Sequence, residues 1–313
     1  MITVRIGRKA PVAHEVMTLS LMQNDSAPLP HVAPGSHVEL RLPGGLARQY
    51  SLCGDPADRG AWRVAVLREP DGRGGSAYIH DVLAEGDELI VSEPRNHFPL
   101  VAADSYLFIA GGIGITPLLP MIAEVERGGR PWRLAYGGRS RATMAFLDEL
   151  AGYGDRVSLW PSAQRGRMDL AGLLAAAVPG EAVYCCGPAP LLDEVAKRHA
   201  DLGLPAESLH VERFIPEVGA VGGVGGHFEV ELASTGQVVS VADGQSVLSV
   251  LRESGVDVLS SCEEGTCGTC ETAVLAGVPD HRDIVLSPAE RAACDLMMVC
   301  VSRSKTPRLV LDL

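Results

Sequence analysis

The sequence predicts three consecutive domains: an antiparallel β-barrel, an α/β domain on a parallel sheet, and a small α+β domain around a metal-binding loop. Three observations predict this. Short alternating strands split by Gly, Pro and Asp turns run from Met1 to about Leu100, a strand–helix rhythm runs from Ser105 to Pro216, and closely spaced cysteines lie near the C-terminus.

In the first domain, Val4–Ile6, His37–Leu42, Trp62–Leu67 and Glu88–Val91 read as strands, and their regular spacing predicts a small antiparallel barrel. Two polar motifs stand on it. Arg48-Gln49-Tyr50-Ser51-Leu52 offers a guanidinium for a phosphate, a phenol to pack on a ring and a hydroxyl for a heteroatom; a purely structural role suits it equally. Asp71-Gly72-Arg73-Gly74-Gly75-Ser76 reads either as an anion nest or as a hairpin tip.

A boundary falls near Pro99–Asp104. Beyond it, Tyr106–Ala110, Trp132–Tyr136 and Ala182–Cys185 are predicted strands, and Leu118–Val125 and Leu191–His199 predicted helices, the alternation of an open parallel sheet. Gly111-Gly112-Ile113-Gly114-Ile115-Thr116-Pro117 follows the first strand and opens a helix, with Thr116 the expected N-cap and Pro117 in the first turn. Glycines there let the backbone approach a pyrophosphate at a helix N-terminus. The motif is not G-x-G-x-x-G, and alone it equally describes a tight turn. A second turn, Cys185-Cys186-Gly187-Pro188-Ala189-Pro190, ends another strand, and strand carboxyl ends are where such sheets bind ligands.

In the third domain, Cys262-Glu263-Glu264-Gly265-Thr266-Cys267-Gly268-Thr269-Cys270 gives C-x4-C-x2-C, the plant-type spacing for a [2Fe–2S] cluster. Gly265 and Gly268 supply backbone freedom beside the metals, and Thr266 and Thr269 leave N–H groups to point at sulfur. Zinc ribbons use two separated C-x2-C pairs instead. Cys294 and Cys300 compete as fourth ligand. Ser287-Pro288-Ala289-Glu290 forms a capping box that places Cys294 on a helix, so Cys300 is the preferred ligand. Gly219–Gly226 is a glycine-rich linker ahead of this domain.

The chain has 313 residues and a net charge of −12, with no basic stripe, which argues against nucleic acid. His227–Leu313 holds 13 Asp/Glu against 6 Lys/Arg, either a solvated acidic face or a surface that steers a basic partner. The remaining cysteines, Cys53, Cys185, Cys186 and Cys294, show no disulfide-scaffold spacing, and thiolate ligation fits a reducing compartment. The N-terminus lacks a signal-peptide core and no apolar run reaches membrane-spanning length. A cytoplasmic protein, monomeric and without a membrane partner, is expected.

These motifs, in this order, resemble the phthalate dioxygenase reductase and vanillate O-demethylase reductase family. The resemblance covers essentially the whole chain. It implies an FMN-binding barrel over 1–102, an NAD(P)-binding α/β domain over 103–218, a linker over 219–226, and a plant-type ferredoxin domain of β-grasp fold over 227–313. It further implies that Arg48, Arg73, Gly74, Gly75 and Ser76 hold the flavin phosphate, Tyr50 and Ser51 line the isoalloxazine, and Ala65, Val66 and Leu67 offer backbone groups to its edge. Phe214 would stack on the flavin. Gly112, Gly114 and Thr116 would face the dinucleotide, Cys186, Gly187 and Pro188 the nicotinamide, and Cys262, Cys267, Cys270 and Cys300 would ligate the cluster.

The implied activity is electron transfer from NADH through FMN and the cluster to a terminal Rieske-type oxygenase. A flavin must stand between a two-electron donor and a one-electron acceptor, so no general base is required, and His97, His210 and His281 are not assigned to catalysis. FMN is preferred to FAD on the resemblance and because the arginine of Arg73-Gly74-Gly75-Ser76 suits a terminal phosphate. NADPH stays open, since Arg139, Arg141 and Arg165 suit a 2′-phosphate and Arg139 equally a pyrophosphate. A general NAD(P)H reductase feeding a cytochrome P450 is the rival enzyme, and a nucleotide-binding redox sensor the rival without turnover.

Overall fold

In the computed structural model, which describes every residue except 25, 26, 71, 73 and 215–225, six strands build the first sheet. They are β1 (Ile2–Ala13), β2 (Val16–Met22), β3 (His37–Leu42), β4 (Leu46–Ser51), β5 (Trp62–Leu67) and, after helix α1 (Gly75–Asp81), β6 (Glu88–Val91). The order is β4-β3-β6-β1-β2-β5, each pair antiparallel, and a bridge between Leu52 and Val64 joins the two edges into a barrel. Alternation explains the barrel core: Val4 and Ile6 of β1, Val38 and Leu40 of β3, and Val64 and Val66 of β5 are all fully buried. β1 outruns its expected span because register shifts at Ile6/Arg8 and Pro11/Ala13 break the alternation while pairing continues.

The second sheet follows the expected rhythm. Its elements are β7 (Ser105–Gly111), α2 (Leu118–Arg127), β8 (Trp132–Gly138), α3 (Leu147–Ala151), β9 (Val157–Pro161), α4 (Ser162–Arg165), α5 (Leu170–Ala175), β10 (Glu181–Cys186), α6 (Ala189–Asp201) and β11 (Leu209–Glu212). All strands are parallel, in the order β11-β10-β7-β8-β9. β7 and β10 are buried at every residue, as central parallel strands covered on both faces require. Barrel and parallel sheet form one unit, Met1–Arg213. Val16, Cys53, Ala65 and Phe98 of the barrel share a core with Ile115, Met121 and Phe146. Arg63 adds a bidentate pair to Glu149 and lies over the Phe146 ring at 4.9 Å.

The second unit is Phe214–Leu313. It contains β12 (Phe228–Leu232), β13 (Val238–Val241), α7 (Val247–Glu253), β14 (Glu271–Ala276), β15 (Pro279–Asp280), α8 (Pro288–Ala293), β16 (Leu296–Met298), β17 (Arg303–Ser304) and β18 (Arg308–Leu311). The main sheet runs β13-β12-β18-β14-β16, with β18 parallel to β12 at its centre. Its buried face packs on α7 through Val247, Leu248, Val250 and Leu251. The Arg303 side chain is 5 % exposed and donates to the carbonyls of Gln245, Gly226 and Ala242, fastening the start of the unit to its interior. Arg73 and linker residues 219–225 lie outside the described residues. Among those described, no helix is long and apolar enough to cross a membrane.

Candidate functional site

The cysteine loop lies between α7 and β14. Its three cysteines, Cys262, Cys267 and Cys270, and Cys300, which follows β16, are each at most 7 % exposed. The thiols fall into two hydrogen-bonded pairs, Cys262 with Cys267 and Cys270 with Cys300. In each pair one sulfur, Cys262 or Cys270, is shifted toward the thiolate first by its partner's hydrogen bond, while that same bond, and then burial, push the partner up. Two pairs of cysteine sulfurs have the chemistry to hold two irons, and among the described residues no three or more His, Cys, Asp or Glu side chains gather about a single-ion position. Backbone amides supply the sulfur hydrogen bonds expected of small residues. Glu264 and Thr266 donate to Cys262 Sγ at 3.4 and 3.5 Å, and Thr269 donates to Cys267 Sγ at 3.4 Å.

Gly265 is required here. It has φ 69°, and a Cβ would fall 2.5 Å from Val301 Cγ2 and 3.0 Å from the Asp283 Cα. The Ser287 capping box forms as expected and starts α8. Cys294 ends that helix, where its thiol donates to the Arg291 carbonyl at 3.3 Å rather than entering either pair. Sequence reasoning missed Asp283, whose buried carboxylate accepts from the Val285 and Leu286 amides at 3.1 and 2.9 Å. The neighbouring Ile284 amide donates to the Gly265 carbonyl at 2.9 Å, which ties this turn to the loop. The only signal was a lone Asp before the apolar run Ile284-Val285-Leu286.

On the barrel, β4 ends in Arg48, Tyr50 and Ser51. The Arg48 side chain lies against Gly75, whose absent Cβ would stand 2.9 Å from Arg48 Cγ and 3.1 Å from Nε. Gly74, at φ 85°, turns the chain into α1, so this motif opens a helix and is no hairpin tip. Ser76 is buried and its hydroxyl accepts from the Glu69 amide at 3.0 Å. Arg48, Gly74, Gly75 and Ser76 thus meet in one place, with a guanidinium beside a small-residue turn that suits a phosphate. Ser51 is buried and Tyr50 half-buried, with burial raising the Tyr50 phenol. On β5, Ala65 and Val66 are buried and Leu67 half-buried, and the Val66 carbonyl meets His80 Nε2 at 2.9 Å. The backbone of that strand is therefore partly committed within the protein.

At the carboxyl edge of the parallel sheet the two predicted glycine turns lie against each other. A Cβ on Gly114 would fall 2.3 Å from the Cys186 carbonyl oxygen, and one on Gly187 would fall 2.9 Å from the Gly111 Cα. Gly112 holds φ 55°. Thr116 is not the N-cap. Gly112–Ile115 form a 3-10 turn leading into α2, Pro117 is its N-cap, and the Thr116 hydroxyl, buried, donates to the Ile113 carbonyl at 2.9 Å. Arg139, just past the end of β8, is exposed. Cys186 is buried, and its thiol is raised first by burial and then by Glu212, whose Oε2 is 3.9 Å from Sγ. Glu212 is itself pushed up to about 8 by burial. Nothing in its local sequence marks Glu212 as a partner of Cys186; the parallel pairing of β10 with β11 sets the two side by side. Phe214 is 38 % exposed, immediately before the undescribed stretch.

Residues 230–305 match the family model for a 2Fe-2S iron-sulfur cluster binding domain. The chain is 46% identical over 314 residues to phenoxybenzoate dioxygenase subunit beta of Ectopseudomonas oleovorans, covering 100% of this chain and 97% of that one. It is 40% identical to vanillate O-demethylase oxidoreductase of a Pseudomonas species, covering 100% of both. The solved structure of phthalate dioxygenase reductase, described as modular for electron transfer from pyridine nucleotides to [2Fe-2S], matches with TM-score 0.75, 38% identity, and 100% and 98% coverage. An intact type IV self-sufficient cytochrome P450 monooxygenase matches with TM-score 0.90 and 43% identity, and this chain spans 41% of it.

Proposed function

The chain belongs to the phthalate dioxygenase reductase family of oxygenase reductases, and from that premise we propose that it is the reductase component of a Rieske-type oxygenase or O-demethylase, passing electrons from NADH through FMN to a [2Fe–2S] cluster. The observation that carries this reading is the pair-of-pairs arrangement of Cys262, Cys267, Cys270 and Cys300 in a chain that also packs two glycine turns at the edge of a parallel sheet.

In this reading Arg48, Gly74, Gly75 and Ser76, with Arg73, hold the FMN phosphate, and Tyr50, Ser51 and the strand Ala65-Val66-Leu67 orient its ring, with Phe214 against it. Gly112 and Gly114 admit the pyrophosphate at the strand ends with Thr116 behind them, Arg139 binds it, and Cys186, Gly187 and Pro188 border the nicotinamide. FMN supplies the conversion between a hydride and single electrons; the chain's task is alignment and the exclusion of water and oxygen. The amide donors on Cys262 and Cys267 tune the cluster.

The acidic surplus of residues 227–313 favours a basic docking patch on the oxygenase. Thiolate ligation supports a cytoplasmic protein, taken to act as a monomer. A second acceptor, a haem monooxygenase, is favoured by the likeness to 41% of an intact self-sufficient cytochrome P450 monooxygenase.

An anaerobic absorbance titration tests the reading. Overlapping flavin and iron–sulfur bands should bleach on adding NADH, and denaturation should release FMN. A colourless protein, or one carrying zinc, would end it. Transfer to a purified Rieske oxygenase that weakens with salt separates the first acceptor from the second.

A further inference from the structure

The coenzyme edge of the parallel sheet carries a positive patch of which the reading above uses only Arg139, and the inference from it rests on that reading. β8 and β9 end side by side, with Gly138 paired to Pro161 and the Ala163 amide donating to the Arg139 carbonyl at 3.0 Å. The chain beyond α4 then folds back over β8, since a Cβ on Gly137 would stand 3.0 Å from Met168 Cε. These links bring Arg139, Arg141, Arg165 and Arg167 to one edge. All four are exposed, and none has a carboxylate partner among the described residues. Arg165 is already oriented: its guanidinium lies 4.0 Å above the Trp160 ring and donates to the Leu159 carbonyl at 2.8 Å.

The sign of the local charge is the informative part. Residues 137–147 and 157–168 contain no Asp or Glu, in a chain whose net charge is −12. A carboxylate facing the adenosine ribose accepts its 2′-hydroxyl and repels a 2′-phosphate, whereas arginine there welcomes the phosphate. Here four exposed guanidiniums and Ser162 line the edge, and the carboxylate nearest along the chain, Asp169, is engaged in capping α5, where it accepts from the Gly172 amide at 2.9 Å. Arginine's planar donors suit a phosphate monoester dianion, and unpaired surface arginines need not break an ion pair to bind it.

We infer that this edge receives the 2′-phosphate of NADPH, with Arg165 and Arg167 as specificity-determining residues, so that NADPH serves as hydride donor at least as well as NADH. Calorimetry on the full chain, with flavin and cluster bound, compares 2′,5′-ADP with 5′-AMP and needs no turnover. The expected result is at least ~10-fold tighter binding of 2′,5′-ADP, as a charge-assisted hydrogen bond implies. Arg165→Gln with Arg167→Gln should bring the two ligands within about twofold. Arg167→Gln alone, which disturbs no described contact, should remove part of the preference. Equal binding of the two ligands to the parent, or a preference that survives the double substitution, overturns the inference. Flavin reduction by NADH but not NADPH would also overturn it and leave the reductase reading intact; reduction by neither would instead sink the reductase reading, with the calorimetry still deciding the patch.

Discussion

Gly265→Ala tests the geometry of the cysteine loop. At φ 69° an L residue costs about 1–2 kcal/mol. The added Cβ would lie 2.5 Å from Val301 Cγ2, where carbon atoms settle at roughly 3.5–4.0 Å, and 3.0 Å from the Asp283 Cα. Overpacking of that kind costs about 1–3 kcal/mol. The loop has little freedom to move aside, because the Gly265 carbonyl accepts the Ile284 amide and the next amide, Thr266, donates to Cys262 Sγ. The sum, about 2–5 kcal/mol, is large against the roughly 5–15 kcal/mol that holds a small domain together. Iron and sulfide per chain, with chemical denaturation followed at the cluster absorbance, are the assay. The variant should lose iron and unfold at lower denaturant, while flavin reduction by NADH persists. Adding Val301→Ala relieves the side-chain overlap but not the backbone cost, so it should restore about half of the loss. Full iron content with a parental midpoint in Gly265→Ala would refute the argument.

Cys300→Ser should abolish the iron–sulfur absorbance and leave flavin reduction intact, whereas Cys294→Ser should keep the cluster and cost at most about 1 kcal/mol; the reverse pattern would move the fourth ligand. Gly114→Ala drives a Cβ to 2.3 Å from the Cys186 carbonyl oxygen, so KM for the coenzyme should rise on the order of 10-fold or more with the visible spectrum unchanged, and an unaltered KM would separate the two turns from coenzyme binding. Glu212 predicts a pH dependence. Its carboxyl, near 8 in the folded chain against an ordinary 4.5, keeps a proton that the unfolded chain has released, so stability falls as pH rises between those values, by at most ~1.4 kcal/mol per pH unit. Glu212→Gln should remove that fall, read by fluorescence of Trp62, Trp132 and Trp160, all in the first unit; parallel pH profiles for variant and parent would contradict it.

Local chemistry made much of this protein legible in its sequence. C-x4-C-x2-C fixes three sulfurs because the ligands are near neighbours along the chain, and the Ser287 capping box is a four-residue signal that needs no tertiary partner. His37–Leu42, Trp62–Leu67 and Glu88–Val91 were readable because alternation is itself local. Thr116 was misread because N-cap chemistry says nothing about a 3-10 turn arriving first and committing the hydroxyl to Ile113. Tertiary structure alone decided that Cys300 joins Cys270, that Arg48 rests on Gly75, that Gly114 touches Cys186, and that Glu212 is set beside that thiol. Each of those contacts joins residues at least 26 positions apart, and their approach is set by sheet order and packing, for which side-chain pattern along one segment carries no information.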